Sequence, residues 1–293
     1  MTAHVAVIGA GIVGVSTAIQ LRRQGFDVTL IDRDGPAAGT SYGNAGVLAS
    51  CSMVPVTGPG LVKKAPRMLF DPMQPLFLRW GYLPKLMPWL IKYLSHSNEA
   101  DTRRIGEAVA GVVGDSLAEH QALASGTAAS QYIVESDYTF AYNDRAAFEA
   151  DWLAWDIRRK AGVAWTELEG EAFQDYDACV PKQFGFGVAC GDHGRITDPG
   201  AYVKALAVEA EALGAKFIKA AIEDIARENG SVVGVRAGGE KIACDQVVIA
   251  TGVWSGPLTK KLGLKIPLEA ERGYHLELWE PSFIPKQPLM IAS

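Results

Sequence analysis

At 293 residues the chain is long enough to bury a large core and to form two domains or one large one. Charged residues make up 21% and the formal charge is −5, so no strong basic stripe is implied and nucleic acid is not expected as a partner. The four cysteines (Cys51, Cys179, Cys190 and Cys244) show neither a Cys-x-x-Cys pair nor a zinc spacing, which predicts reduced, mostly buried thiols, no metal site and a cytoplasmic location. The N-terminus reads straight into a strand with no basic leader region, and no apolar run reaches the length of a membrane span.

The first element is the most informative. Val5 to Gly14 reads as a strand turning into a helix, which Gly25 ends before the apolar strand Val28-Thr29-Leu30-Ile31-Asp32. In the pattern Gly9-x-Gly11-x-x-Gly14, the first glycine permits the sharp turn. The second lets backbone approach a pyrophosphate, and the third lets the helix lie close on the sheet. The phosphates would sit on unpaired N–H groups where the helix dipole favours negative charge. Asp32 lies 18 residues after Gly14, where an acidic side chain can accept ribose hydroxyls. A merely glycine-rich turn would require neither Gly14 nor Asp32, so dinucleotide binding is inferred.

Residues 35–60 are rich in Gly, Ser, Pro and Asn and read as an extended loop passing over a ligand. Residues 61–97 read as short helices punctuated by Pro66, Pro72, Pro75, Pro84 and Pro88. Within them, 76–94 carries Trp80, Tyr82, Trp89 and Tyr93 beside Arg79, Lys85 and Lys92. This is a lid on the protein's own core or, in the alternative, a surface helix touching lipid. From 101 to 123 the apolar positions Ile105, Val109, Val112, Val113 and Leu117 recur at helical spacing, and His120 on the same stripe reads as a core histidine.

Residues 132–142 read as two short strands around Ser136-Asp137, Asp144 as the cap of a helix over 145–160, and 184–190 as another strand. The glycine-flanked Asp192-His193 reads as a solvated turn rather than a catalytic base. Asp198-Pro199 is an N-cap followed by proline at the first helical position, opening a helix to about Leu213. Segments 216–225, 231–237 and 241–244 are strand-like and separated by Asn229-Gly230 and Gly238-Gly239, a small antiparallel meander. The apolar run 246–250, followed by Thr251-Gly252, reads as a fully buried parallel strand that rejoins the first sheet. Residues 269–279 and 288–292 read as strands of a second sheet.

The expected architecture is α/β: a Rossmann-like nucleotide-binding domain assembled from 1–60 and 196–265, with a mixed-sheet substrate domain from 61–195 and 266–293 inserted. Sequence order favours FAD over NAD, because an NAD domain usually carries two successive β-α-β-α-β halves. Here the second strand runs directly into Gly39-Thr40-Ser41-Tyr42-Gly43-Asn44-Ala45-Gly46.

Five segments together resemble the D-amino-acid oxidase/dehydrogenase family of flavoproteins, and most closely its bacterial dehydrogenase branch. They are the glycine turn with Asp32, Thr40-Ser41 leading to Asn44-Ala45-Gly46, Asp198-Pro199, Ala250-Thr251-Gly252-Val253-Trp254-Ser255, and Arg272-Gly273-Tyr274-His275. The resemblance implies that Gly9, Gly11, Ile12, Val13 and Gly14 hold the pyrophosphate of FAD and Asp32 its adenosine ribose. It implies that Ser41, Asn44, Ala45 and Gly46 run beside the pyrophosphate and flavin ring, with Thr251 and Gly252 near the phosphates. Arg272, Tyr274 and His275 become candidates for the wall of the substrate pocket, while Trp254 is expected to pack beneath the nucleotide.

The implied activity is oxidative deamination of D-amino acids to 2-oxo acids and ammonia by hydride transfer to FAD. Sarcosine, glycine and hydroxyproline are alternative substrates, and a quinone, an electron carrier or oxygen is the acceptor. The branch resembled favours a membrane quinone, hence peripheral contact at the inner face of the plasma membrane. No convincing acid/base pair stands out.

Family members continue past Ser293, adding strands, a closing glycine-rich turn and a substrate-carboxylate arginine. The substrate domain is therefore expected to lack its C-terminal part, with an open sheet edge at 289–291, weak or no binding of FAD and little turnover. The competing expectations are a non-catalytic or split nucleotide-binding subunit that needs a partner chain, and, more remotely, an NAD-dependent dehydrogenase.

Overall fold

The computed structural model of the chain describes residues 2–60, 80–268, 270 and 273–292. Arg272 and the stretch 61–79, with Pro66, Pro72, Pro75 and Arg79, lie outside the described residues.

In chain order, β1 (His4–Ile8), α1 (Ile12–Arg23) and β2 (Asp27–Asp32) form the expected opening unit, followed by the short β3 (Val47–Leu48). The described part of the proline-punctuated region is a short 3-10 helix at Trp80–Tyr82 leading into α2 (Leu83–Ser95). Pro84 falls in its first turn, where no N–H is needed. Pro88 then removes only the bond to Pro84, so the helix continues. The periodic stretch expected as one helix is two, α3 (Glu99–Val113) and α4 (Ser116–Ala124), broken at Gly114. Asn98 caps α3 by accepting from the Asp101 N–H at 2.9 Å.

β4 (Ile133–Tyr142) is one ten-residue strand that passes through Ser136-Asp137 without turning. Asp144 accepts from the Ala147 N–H as expected, but the helix it opens is interrupted at Asp151, giving α5 (Arg145–Ala150) and α6 (Trp152–Lys160). Next come β5 (Trp165–Glu169), α7 (Glu171–Tyr176) and β6 (Phe186–Ile196), then α8 (Pro199–Ala212), with Asp198 capping the Ala201 N–H. β7 (Lys216–Lys219), β8 (Ile222–Glu228), β9 (Ser231–Ala237), β10 (Glu240–Ile242) and β11 (Gln246–Ile249) lead into α9 (Ser255–Lys261), and β12 (Leu289–Ile291) comes last. The alternating residues 273–278 form no strand. Leu276, Leu278 and Trp279 are exposed, because no neighbouring strand among the described residues pairs with them.

The chain divides into two compact units. The first comprises Met1–Val47, Glu119–Val134 and Arg195–Ser282, and the second Leu48–Ala118, Glu135–Gly194 and Phe283–Ser293. Relative to the expected division, 48–60 fall in the second unit, and 119–134 and 266–282 in the first. In the first unit a parallel sheet has the order β11-β1-β2-β7. β11 rejoins the opening sheet beside β1, with Val5 opposite Gln246 and Ile8 opposite Ile249. It does so as a half-buried edge strand, not a fully buried central one.

The segment expected as the meander's first strand is divided. β7 pairs parallel with β2, and only β8, β9 and β10 form the antiparallel sheet. Ala6, Ile8 and Ile31 pack with Ile225, Val235, Cys244 and Leu258 in one core. α1 buries Gly14, Val15, Ala18 and Ile19, and a fully buried Val or Ile contributes about 1.5–3 kcal/mol. In the second unit a five-stranded sheet has the order β12-β4-β6-β3, with β5 antiparallel to β6. β12 runs parallel to β4 at the sheet edge, Leu289 opposite Thr139.

Candidate nucleotide site

The registers β1–β2 and β1–β11 bring three strand ends to one place: Gly9 after β1, Asp32 at the tip of β2, and Ala250-Thr251 after β11. The Gly9 N–H donates to the Ile31 carbonyl at 2.7 Å and the Ala250 N–H to Ile8 at 2.8 Å, locking the turn to both neighbours. Gly9 has φ +105°, and a Cβ there would lie 2.4 Å from the Ala250 carbonyl oxygen. A Cβ on Gly14 would lie 1.8 Å from the Gly9 oxygen, so only glycine lets α1 start this close to the turn. Gly11 differs. A Cβ there would meet nothing but the Ser41 hydroxyl, at 3.2 Å. Gly11 lies on the lining of the groove described below.

The N-cap of α1 is Gly11, which offers no side chain, and the Ile12 N–H donates instead to Oγ of Ser41 at 2.9 Å. Ser41 therefore reaches from the following loop to the helix start, where N–H groups lack intrahelical partners and the dipole attracts anions. Asp32 is tied into the same structure. Its Oδ2 accepts from the Ala10 N–H at 2.9 Å, and its Oδ1 from Asp34 and Gly35 at 2.8 and 2.9 Å. A carboxylate has about four acceptor positions, so one remains on Oδ2 for a hydroxyl donor.

These groups frame a groove of about 790 Å³, lined by Gly9, Gly11, Ile12, Val13, Asp32 and Ser41 on one side and by Thr251 and Gly252 on the other. Thr251 Oγ1 and Ser255 Oγ lie 3.1 Å apart, and Gly252 has φ +55°. Gly14 is not on the lining; its contact is with the Gly9 turn.

The remaining expected residues are placed differently. Asn44 closes its own turn, accepting from the Gly46 N–H at 2.8 Å and donating to the carbonyls of Thr40 and Ser41. Asn44, Ala45 and Gly46 are not on the groove's lining. Gly46, at φ +65°, presses on the backbone of Ile196, where a Cβ would come to 2.3 Å of the carbonyl oxygen. Tyr274 is 88% exposed, and His275 lies against Gly43 with Nε2 3.2 Å from Glu277. Arg272 lies outside the described residues.

Trp254 is not packed beneath the groove. It is 60% exposed on the rim, with the Arg33 guanidinium 4.6 Å from its ring centroid. Asp192-His193 is not a solvated turn either. His193 is buried within β6, because Asp192 adopts φ +58° and lets the strand continue past the glycines. His120, expected in the core, is half-buried, its Nδ1 2.8 Å from the Tyr202 hydroxyl, and burial lowers its proton affinity.

Sequence reasoning missed Ala220, Ile222, Glu223, Ile266 and Leu268 on the lining. The Ala220 N–H donates to the Asp32 carbonyl at 2.9 Å, so the β7–β8 connection reaches the groove only through the β2–β7 pairing. A four-residue strand after Gly214 is the single sequence signal that could have found it.

A parallel sheet whose carboxyl ends frame a glycine turn, an acid-tipped second strand and an open groove defines a dinucleotide-binding protein. The open space at Gly11 and the remaining acceptor position of Asp32 fit the adenosine-diphosphate half of FAD. Residues 4–291 match the family model described as FAD dependent oxidoreductase (DAO), and the chain belongs to that family of flavin enzymes.

It is 41% identical over 290 residues to a D-amino-acid oxidase of Bradyrhizobium diazoefficiens, covering 98% of this chain and 69% of that one. It is 31% identical to a D-amino acid dehydrogenase of Rhizobium rhizogenes, covering 98% and 70%. The fold is similar to that of a glycine oxidase from Bacillus cereus, with TM-score 0.60 and 21% identity over 89% of this chain. The chain spans 58% of the length of that glycine oxidase.

Proposed function

We propose that the protein takes part in the oxidative deamination of D-amino acids with FAD as cofactor. The observation that carries this reading is the groove with Gly11 open above the helix start and Asp32 at its edge, in a chain 41% identical to a D-amino-acid oxidase. Bound FAD supplies the hydride acceptor, and the oxidised amino acid, an imine, hydrolyses to a 2-oxo acid and ammonia. The chain's own part is positional. The N–H groups at the start of α1, with Ser41, hold the diphosphate; Asp32 holds the ribose; and Thr251 and Gly252 close the opposite wall. Tyr274 and His275, with Arg272, are the residues proposed for the substrate side. The test is anaerobic addition of D-alanine, L-alanine, glycine and sarcosine in turn to the FAD-loaded protein. Loss of the oxidised flavin absorbance with D-alanine ahead of the other three supports the reading, and bleaching by glycine or sarcosine alone refutes it.

The electron acceptor we propose is a membrane quinone. No helix among the described residues is long and apolar enough to cross a membrane. α2 and the turn before it nonetheless expose Trp80, Tyr82, Met87, Trp89 and Ile91 beside Lys85 and Lys92, a composition suited to an interfacial helix. Co-flotation with anionic vesicles, abolished by Trp89→Glu with Ile91→Glu, tests peripheral contact at the inner face of the membrane.

A further inference from the structure

The second unit holds a polar cluster that the proposed reaction does not use. Cys51, just after β3, and Cys190, in β6, are both 0% exposed, and each thiol is the strongest influence on the proton affinity of the other. His193 of the same strand accepts the Cys51 N–H at Nε2, 3.0 Å away, and its Nδ1 lies 2.5 Å from the Gly191 carbonyl. A carbonyl only accepts, so Nδ1 carries the ring proton. From α6, Arg158 donates through Nε to the Cys51 carbonyl at 3.2 Å, its guanidinium 4.5 Å from the ring centroids of both Phe140 and Trp155. Arg158 is 7% exposed, its Nη1 has no hydrogen-bond partner, and no carboxylate pairs with it among the described residues. A guanidinium stays charged at any accessible pH, and a buried charge without a counter-ion is strongly disfavoured.

The neighbouring thiol is the group able to answer that charge. We propose that Cys51 and Cys190 form a dithiol site that a small hydroperoxide oxidises to an internal disulfide, with Cys51 as the attacking sulfur. The thiolate is the reactive form of cysteine, and the surroundings divide the pair accordingly. Cys190 lowers the proton affinity of Cys51 against the cost of burial, with Arg158 acting in the same direction. The contact with Cys51, burial and the Cys51 charge push Cys190 up.

In the first step the Cys51 sulfur attacks one peroxide oxygen and the O–O bond breaks. The departing hydroxide takes the proton Cys51 gave up and leaves as water, so Cys51 becomes a sulfenic acid, oxidised by two electrons. Cys190 sulfur then attacks Cys51 sulfur. The S–S bond forms, the S–O bond breaks, and the oxygen leaves as water with the Cys190 proton. The sum is two thiols and hydrogen peroxide giving one disulfide and two waters.

Burial makes the site size-selective, since a tripeptide disulfide such as oxidised glutathione cannot reach sulfurs with no exposed surface. Cys179 and Cys244 serve as internal standards. Cys179 is the most exposed of the four, and the proton affinity of each is raised, chiefly by burial.

The experiment is graded hydrogen peroxide on the full chain, alkylation of the remaining thiols and peptide mass mapping, with oxidised glutathione as a parallel arm. The expected result is a Cys51–Cys190 cross-linked peptide forming about tenfold or more faster than any change at Cys179, reversed by dithiothreitol and absent with glutathione disulfide. In Cys190→Ser, dimedone added together with denaturant after the peroxide step should label Cys51. If Cys190→Ser does not fold, the wild-type mapping decides alone. Modification of Cys179 ahead of the pair, a cross-link formed equally well by glutathione disulfide, or dimedone labelling elsewhere than Cys51 in a folded Cys190→Ser protein overturns the proposal.

Discussion

Gly11 and Gly14 should fail in opposite ways when each is replaced by alanine. Gly11 is in extended backbone with φ −74° and ψ −179°, which alanine adopts freely, and the new methyl meets only the movable Ser41 hydroxyl. Stability should therefore stay within about 1 kcal/mol of the parent. The methyl does occupy the space through which a diphosphate approaches the backbone. Losing one hydrogen bond to a charged group costs about 1.5–3 kcal/mol, or about 10- to 150-fold in dissociation constant.

At Gly14 the methyl would stand 1.8 Å from the Gly9 carbonyl oxygen and 2.9 Å from its carbon, both backbone atoms of the turn itself. α1 must then move off the sheet. Overpacking of this kind costs about 3 kcal/mol or more, lowering the melting temperature by about 6–12 °C for a domain of this size. Thermal melts without nucleotide, together with titration by ADP and by FAD, separate the two effects. A Gly14→Ala protein that melts like the parent, or a Gly11→Ala protein that binds ADP and FAD as the parent does, refutes this account of the turn.

Asp32→Asn replaces one acceptor oxygen by a donor that faces backbone N–H groups, so both stability and ADP affinity should fall, stability by about 1–3 kcal/mol in chemical denaturation. Ser41→Ala removes the acceptor of the Ile12 N–H and should cost about 1 kcal/mol in the same assay while leaving the fold intact. For His120 the sign follows from burial, which depresses its folded proton affinity below the ordinary value of 6.5. The unfolded chain then binds the proton more readily, so this group's contribution to stability is lost as pH falls below that value. Melting curves between about pH 5 and pH 8 should show a shallower acid slope for His120→Gln than for the parent; equal slopes would remove the assignment.

The opening βαβ unit was legible because its logic is local: strand, turn and helix are adjacent in sequence, and each glycine answers to a neighbour within a few residues or to the strand beside it. The β11 return was legible from its apolar run, though its edge position was not, since burial of a strand face by a separate small sheet leaves no mark in the strand itself. What failed was punctuation. Gly191 and Gly194 read as the ends of a turn, yet Asp192 takes the left-handed conformation and His193 stays in the strand, buried against Cys51. Residues 273–278 alternate as a strand should, but alternation does not supply the neighbour that hydrogen bonding requires. The groove wall from Ala220 to Glu223 was hidden because it depends on β7 pairing with β2, across more than half of the chain.

The three N–H bonds gathered by Asp32 have a consequence for redesign. The carboxylate that would select the sugar also holds the bend of its own strand and the start of the next loop. Altering nucleotide preference at this position would also slacken the scaffold, so a successful switch must first rebuild the bend by other means and change the selecting group second.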